Sequence, residues 1–263
     1  MSADDVAKPS RRVSVSRVCL VLVFVLGLRL VSAMSPLGDP KQGAERVFYG
    51  GNRYDTFTVN LRADKLELLF ADDQGRRIGS LGAARDFLAS KKRKVVFATN
   101  GGMFNPEWQP NGLFVEEGLT VYPMDLSNRE GNFYLKPNGV FYLSESGAGI
   151  VPSEEFSEIS EYVRYATQSG PMLVHAGKIH KAFRSGSGSK HIRSGVGILD
   201  DNRVVFAISK EPVNFYEFAK LFKARFGCVD ALYLDGTISK MYLPALNRHE
   251  LDGDFGVMIA VSR

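Results

Sequence analysis

The stretch Asn214-Phe215-Tyr216-Glu217-Phe218-Ala219-Lys220-Leu221-Phe222-Lys223-Ala224-Arg225-Phe226-Gly227, continued by Cys228-Val229-Asp230-Ala231-Leu232-Tyr233-Leu234-Asp235-Gly236, reads as a helix feeding a strand. Asn214 suits an N-cap, and Glu217 stands at the capping-box position. Phe215, Phe218, Phe222 and Phe226 line one helical face, and Gly227 can end the helix. Ala231–Leu234 is a short, continuous apolar run of the kind that forms a buried strand, and it breaks at Asp235-Gly236. Such a strand delivers its last polar side chain to the edge of a core, and the glycine lets a ligand approach the backbone.

Two other stretches end in the same way. Val95–Thr99 runs into Asn100-Gly101-Gly102-Met103-Phe104, and Tyr165–Ser169 runs into Gly170-Pro171. Three such ends meeting at one cleft would assemble a site on a sheet scaffold. Around them, strand-like segments recur at Arg53–Asn60, Lys65–Phe70, Leu113–Glu116, Leu119–Tyr122, Asn132–Lys136, Val140–Leu143 and Phe255–Val261. Met172–His175 and Lys178–His180 read as a hairpin about Ala176-Gly177, and Gly195–Leu199 pairs with Val204–Ile208. Ser80 caps a helix whose stripe is Leu81, Ala84 and Leu88, and Pro152–Tyr162 reads as a short helix. Strands outnumber helices and many connections are hairpin-like. The expected class is α+β, a mixed or antiparallel β-sheet core with a few packed helices in a single domain.

The first 33 residues read as a signal peptide. Lys8, Arg11, Arg12 and Arg17 form a basic region, Val18–Leu28 an apolar one, and Val31-Ser32-Ala33 a small-residue cleavage pattern. The apolar run is short of the ~20 residues that span a bilayer, and Arg29 closes it. Residues 34–45 read as a linker and 46–263 as the domain. The implied location is the periplasm or the exterior, with no stable membrane insertion after cleavage. Removing five of the 33 Lys/Arg and two of the 29 Asp/Glu with this segment leaves 28 against 27. The basic pI thus belongs to the leader, and nothing in the mature chain's charge steers it to nucleic acid. Cys228 is then the one cysteine of the mature chain, expected as a packed small hydrophobe. His175, His180, His191 and His249 are dispersed without metal-ligand spacing.

Asp235 is the leading candidate for chemistry. Burial raises a carboxyl pKa unless donors surround it, and Gly236, Thr237 and Ser239 can supply donors that keep it ionised. Asp-Gly is also an ordinary turn dipeptide. Arg193 follows the Gly/Ser-rich Ser185–Ser189 and presents a planar fork suited to phosphate. Trp108, beside Glu107 and Gln109-Pro110-Asn111, offers a sugar platform or a plug for its own loop.

In this order the motifs resemble the phosphodiester glycosidase family. Asn100-Gly101-Gly102-Met103-Phe104 is similar to its Asn-Gly-Gly-x-Phe, Ser169-Gly170-Pro171-Met172-Leu173 to its Ser-Gly-Pro-x-Leu, and Arg193-Ser194-Gly195-Val196-Gly197 to its Arg-Thr-x-x-Gly. Leu234-Asp235-Gly236-Thr237-Ile238-Ser239 resembles its Leu-Asp-Gly-Gly-Gly-Ser, with Thr237 and Ile238 standing where glycines are usual. The resemblance implies hydrolysis of a sugar joined through C1 to a phosphodiester, on a small-molecule or polymeric sugar-phosphate. It implies Asp235 as the catalytic carboxylate, Arg193 holding the phosphate, and Ser239 or Thr237 adding hydrogen bonds. Asn100, Gly101, Gly102, Ser169, Gly170, Gly236 and Trp108 would line or orient the substrate. No cofactor is implied, and cation assistance at Asp235 stays open. The alternative is a cell-envelope protein that binds a glycan or glycosyl-phosphate without cutting it.

Overall fold

Residues 40–159 and 162–263 are described by the computed structural model; the expected signal segment and most of the linker lie outside the described residues. The strands are β1 (Gly43–Tyr49), β2 (Asn52–Asn60), β3 (Lys65–Leu69), β4 (Val95–Asn100), β5 (Phe114–Glu116), β6 (Leu119–Tyr122), β7 (Gly139–Ser144), β8 (Gly147–Pro152), β9 (Val163–Ser169), β10 (Met172–His175), β11 (Lys178–Ile179), β12 (Ser194–Asp200), β13 (Arg203–Ser209), β14 (Ala231–Asp235), β15 (Met241–Leu243), β16 (Arg248–His249) and β17 (Met258–Ser262). The helices are α1 (Leu81–Ser90) and α2 (Phe215–Lys220). Strands form a seven-stranded sheet in the order β1-β2-β13-β12-β14-β10-β11 and two five-stranded sheets, β16-β15-β4-β17-β3 and β6-β5-β9-β7-β8. Among the described residues the ladders are antiparallel.

The three sheets share one core. Phe57, Val204, Phe206 and Leu232 enter it from the first sheet, Phe97, Met241 and Ile259 from the second, and Phe114, Phe141 and Tyr165 from the third. Strand alternation sends the intervening side chains outward. Val205 and Ala207 of β13 pack under α2 with Phe218 and Phe222, while Ala98 and Ala260 meet Leu81, Ala84 and Leu88 of α1. Ser80 accepts the Ala83 N–H and caps α1; Asn214 and Glu217 complete a capping box on α2.

The differences from the expected elements have local causes. Asn132–Tyr134 is a 3₁₀ turn, not a strand: Gly131 enters it at φ 107°, and the Asn138 amide donates to the Phe133 carbonyl at 2.9 Å, so its backbone is satisfied without a ladder. β1 begins at Gly43, inside the expected linker, and buries only Val47 fully, which leaves an edge strand with no apolar alternation to read. The Phe-rich helix is α-helical to Lys220 and then widens to a π turn over Leu221–Arg225. No helix among the described residues is long and apolar enough to cross a membrane.

Candidate active site

Each sheet contributes one glycine-terminated strand end to the same place. β12 and β14 are neighbours in the large sheet, with Ser194 opposite Asp235. From β4, the Asn100 amide donates to Ser194 Oγ at 2.9 Å, and its carbonyl oxygen accepts the Lys240 N–H at 3.2 Å. From β9, Ser169 Oγ donates to the Leu234 carbonyl at 3.2 Å. Ser239 Oγ donates to the Asp235 carbonyl at 2.8 Å and lies 3.1 Å from Ser194 Oγ. Asn100, Ser169 and Ser194 are at most 1% exposed. Both ends of the Asn100 amide are taken up in holding the Asp235 turn, and Ser169 donates to the strand just before it, so the two act as buried struts behind the turn.

Asp235 sits at the head of that turn. Its Oδ1 accepts N–H groups of Gly236 at 2.5 Å, Thr237 at 2.8 Å and Ile238 at 3.3 Å. Oδ2 accepts no hydrogen bond from a described residue. Burial nevertheless raises the Asp235 pKa above the ordinary aspartate value, outweighing the three amides that oppose it. The sequence reading expected the donors to prevail; they take only one oxygen, and the other is left in a half-buried setting. Thr237 and Ile238 donate to Asp235 without positive φ, and the Ile238 side chain packs against the core beside α1. The turn therefore forms without the usual glycines. Gly236 is required: a Cβ there would lie 1.9 Å from the Tyr233 hydroxyl.

Arg193 is the largest fully buried side chain, 1% exposed. Nε donates to the Val213 carbonyl at 2.9 Å, Nη2 to the Ser189 carbonyl at 3.2 Å and Nη1 to the Tyr233 hydroxyl at 3.1 Å. Its guanidinium carbon lies 3.7 Å from the Phe215 ring centroid, a desolvated cation–π contact. None of the described carboxylates pairs with it, and burial lowers its pKa. Arg193 is thus more deeply set than an open phosphate clamp: three of its five N–H groups fix the loop ends and Tyr233. It still stands beside the Asp235 turn: the Cβ position of Gly236 is 3.5 Å from Arg193 Nη1.

The expected ligand-facing glycines serve close packing. A Cβ on Gly101 would meet Val257 at 2.7 Å, one on Gly102 the Gln168 carbonyl at 2.4 Å, and one on Gly170 the Phe133 carbonyl at 2.6 Å. Gly102 thus lets strand ends from two sheets touch, Gly101 lets β4 close on the segment entering its neighbour β17, and Gly170 lets the end of β9 pack on the 3₁₀ turn. Trp108 is 40% exposed, and the Arg77 guanidinium covers one face of its indole at 4.8 Å. Glu107 beside it is exposed. Cys228 is buried, and burial raises its thiol pKa, as a packed hydrophobe requires. Among the described residues no group of three or more His, Cys, Asp and Glu side chains is placed to hold a metal ion.

A cleft of about 700 Å³ opens against this turn, lined by Gly236, Thr237 and Ser239 and walled by Ile192 and Ser209. Its size is in the range of small-molecule sites. Ser209 Oγ accepts the Arg193 N–H at 3.0 Å, so the cleft wall is bonded to the backbone of the buried arginine. Tyr233 and Phe215 are partners of Arg193 that the motifs do not announce. Tyr233 stands two residues before Asp235, where a strand returns to the same face, and that spacing was the available signal.

A family model for phosphodiester glycosidases matches residues 93–260. A protein of Escherichia coli (strain K12) described as uncharacterized protein YigE is 37% identical over 187 residues, covering 71% of this chain and 73% of its own. The catalytic domain of zebrafish N-acetylglucosamine-1-phosphodiester alpha-N-acetylglucosaminidase, auto-inhibited by its pro-peptide, is similar in fold, with a TM-score of 0.57 at 15% identity over 83% of this chain and 81% of its own. The matched segment runs from the start of β4 to the last strand and contains every strand end that meets at Asp235: the chain belongs to the phosphodiester glycosidase family.

Proposed function

We propose that the protein hydrolyses a sugar joined through C1 to a phosphodiester, with Asp235 as its catalytic carboxylate. One observation carries this reading: a buried guanidinium with no carboxylate partner among the described residues lies against the Gly236 turn, and the half-desolvated carboxylate at the head of that turn keeps one oxygen free of hydrogen bonds from described residues. Uncompensated buried charge is costly, and an anion entering the adjoining cleft offsets that cost. The anion is the phosphodiester, held by the field of Arg193 rather than by contact.

The chemistry follows from the leaving group. Breaking the C1–O bond of a glycosyl phosphodiester expels a phosphate monoester whose conjugate acid has a pKa of about 6, so departure needs little acid help. One carboxylate then suffices where an ordinary glycoside needs two. Asp235 Oδ2 takes a proton from water as the water oxygen bonds to C1, or faces the cationic sugar as the C1–O bond lengthens; the electron pair of that bond leaves with the phosphate. A pKa raised by burial makes this carboxylate a stronger base than a solvated aspartate. The three amides on Oδ1 hold its orientation, and Ser239, Ser194 and Asn100 hold the turn.

The reading includes export, which rests on the Lys8–Ala33 pattern alone. The test is a screen of glycosyl-1-phosphodiesters for released free sugar. Wild-type protein releases sugar from at least one of them, and Asp235→Asn loses about 10²–10⁴-fold in rate, as loss of a general base does. A folded Asp235→Asn protein with undiminished activity refutes the assignment. A glycosyl-phosphate bound in calorimetry and never converted favours a binding protein.

A further inference from the structure

Beyond the Asp235 turn the same cleft is rimmed by Arg46, Lys210 and Arg248, all gathered around one carboxylate. Asp55 is that carboxylate, its side chain 2% exposed. Arg46 Nε lies 3.1 Å from Oδ1, Arg248 Nη1 3.0 Å from Oδ2, and Lys210 Nζ 3.9 Å from Oδ2. Arg248 has a second anion in Glu250 at 3.1 Å. Glu211, next in sequence to Lys210, is taken by Arg53, and Lys240 on the same rim is taken by Asp252. Three cations therefore face two carboxylates. The surplus falls on Lys210, whose ammonium makes no hydrogen bond among the described residues, and on Arg46, which is half exposed. Asp55, buried beneath them, fixes the cationic ends without cancelling them.

We infer that this rim is a second anion subsite, and that the preferred substrate carries a further phosphate on its aglycone beyond the scissile phosphodiester. Arg46, whose Nη2 also donates to the Leu246 carbonyl at 3.1 Å, offers the free N–H groups of its guanidinium end, and Lys210 a compact point charge; guanidinium and ammonium are the two forms in which proteins hold phosphate. Lys210 directly follows Ser209, whose hydroxyl holds the Arg193 backbone, so the subsite adjoins the reacting end. The preference for a bisphosphorylated or poly(phosphodiester) aglycone rests on the hydrolase reading; the subsite itself rests on these side chains alone.

The test has a binding arm and a turnover arm. In calorimetry at low salt, glycerol 1,3-bisphosphate binds about ten-fold or more tightly than glycerol 3-phosphate, the effect of one charge-assisted contact. Lys210→Met removes that advantage, Lys210→Arg keeps it, and raising the salt shrinks it. Equal binding of the two glycerol phosphates, or an advantage that survives Lys210→Met or high salt unchanged, overturns the subsite. In turnover, the KM for a sugar 1-phosphodiester of glycerol phosphate is lower than for the same sugar's methyl phosphodiester, and the ratio collapses in Lys210→Met. Hydrolysis of both with equal KM overturns the inference and leaves the hydrolase standing. Lys210-dependent bisphosphate binding with no hydrolysis of either ester upholds the subsite and removes the hydrolase.

Discussion

Replacing Asp235 with asparagine separates the stability of the turn from its chemistry. The asparagine Oδ1 accepts the same three N–H groups that the carboxylate holds at 2.5, 2.8 and 3.3 Å. Nδ2 replaces Oδ2, an oxygen to which no described residue donates, so no hydrogen bond is lost. What disappears is the cost of holding a charge where water is scarce. Nδ2 brings N–H groups as unpartnered as Oδ2, so only the cost of desolvating the charge is removed; for a half-buried group that relief is on the order of 1 kcal/mol, about 2–4 °C in Tm for a chain of this size. The sign with pH follows from the direction of the shift. Because the folded pKa is raised, the stability linked to the protonated form is present below the ordinary aspartate value and lost as pH rises through the folded one. The variant has no such loss. Thermal melts of both proteins from pH 4 to pH 8 should therefore coincide most closely at the acid end, with the variant ahead at neutral pH. An Asp235→Asn protein less stable than wild type at pH 7, or a difference that ignores pH, would refute the view that burial dominates this carboxylate.

Three other outcomes are expected. Gly102→Ala places a Cβ 2.4 Å from both the Gln168 carbonyl and Thr167 Oγ1, so urea denaturation should show a loss of about 1–3 kcal/mol. Asp55→Asn strips the common anion from Arg46, Arg248 and Lys210; Arg46 is half exposed and Arg248 keeps Glu250, so the loss is that of charge-assisted hydrogen bonds, about 1.5–3 kcal/mol, read as a fall in denaturation midpoint that high salt partly reverses. His180 stands with Nε2 3.0 Å from the Lys136 carbonyl and Nδ1 accepting the Ala182 N–H at 3.2 Å, and burial lowers its pKa from 6.5. Stability linked to the neutral ring is thus full above pH 6.5 and lost as pH falls through the folded value, and His180→Asn should flatten that part of the acid limb of a pH–stability curve.

Much of the fold could be read from local pattern because local physics decides it. The stripe Leu81, Ala84 and Leu88 with its Ser80 cap, the capping box at Asn214, and the hairpin about Ala176 and Gly177 at φ 47° and 71° each depend on a few consecutive residues. Edge strand β1 was not legible, since its partner β2 supplies the order and its own side chains are mostly exposed. The convergence at Asp235 was legible as three strand ends broken by glycine. The use of those glycines was not. Sequence shows that Gly101, Gly102 and Gly170 lack a Cβ, whereas only the packing of three sheets shows that neighbouring atoms of the chain, and not a ligand, occupy the space. Arg193 is the same case: its charge is written in the sequence, but its burial under Phe215 and Tyr233 comes from residues 22 and 40 positions away. The Asp55 cluster joins β1, β2, β16 and the residue just after β13, a combination no local spacing encodes.

The bond that breaks distinguishes a glycosidase from a phosphodiesterase. Hydrolysis of a glycosyl-1-phosphodiester in ¹⁸O-labelled water, with the phosphate monoester product analysed by mass, decides it. Cleavage at C1 with Asp235 as the carboxylate predicts a phosphate monoester free of label, formed by wild type and about 10²–10⁴-fold more slowly by Asp235→Asn. Label in the phosphate would mean attack at phosphorus, and would contradict the glycosidase mechanism proposed for this site.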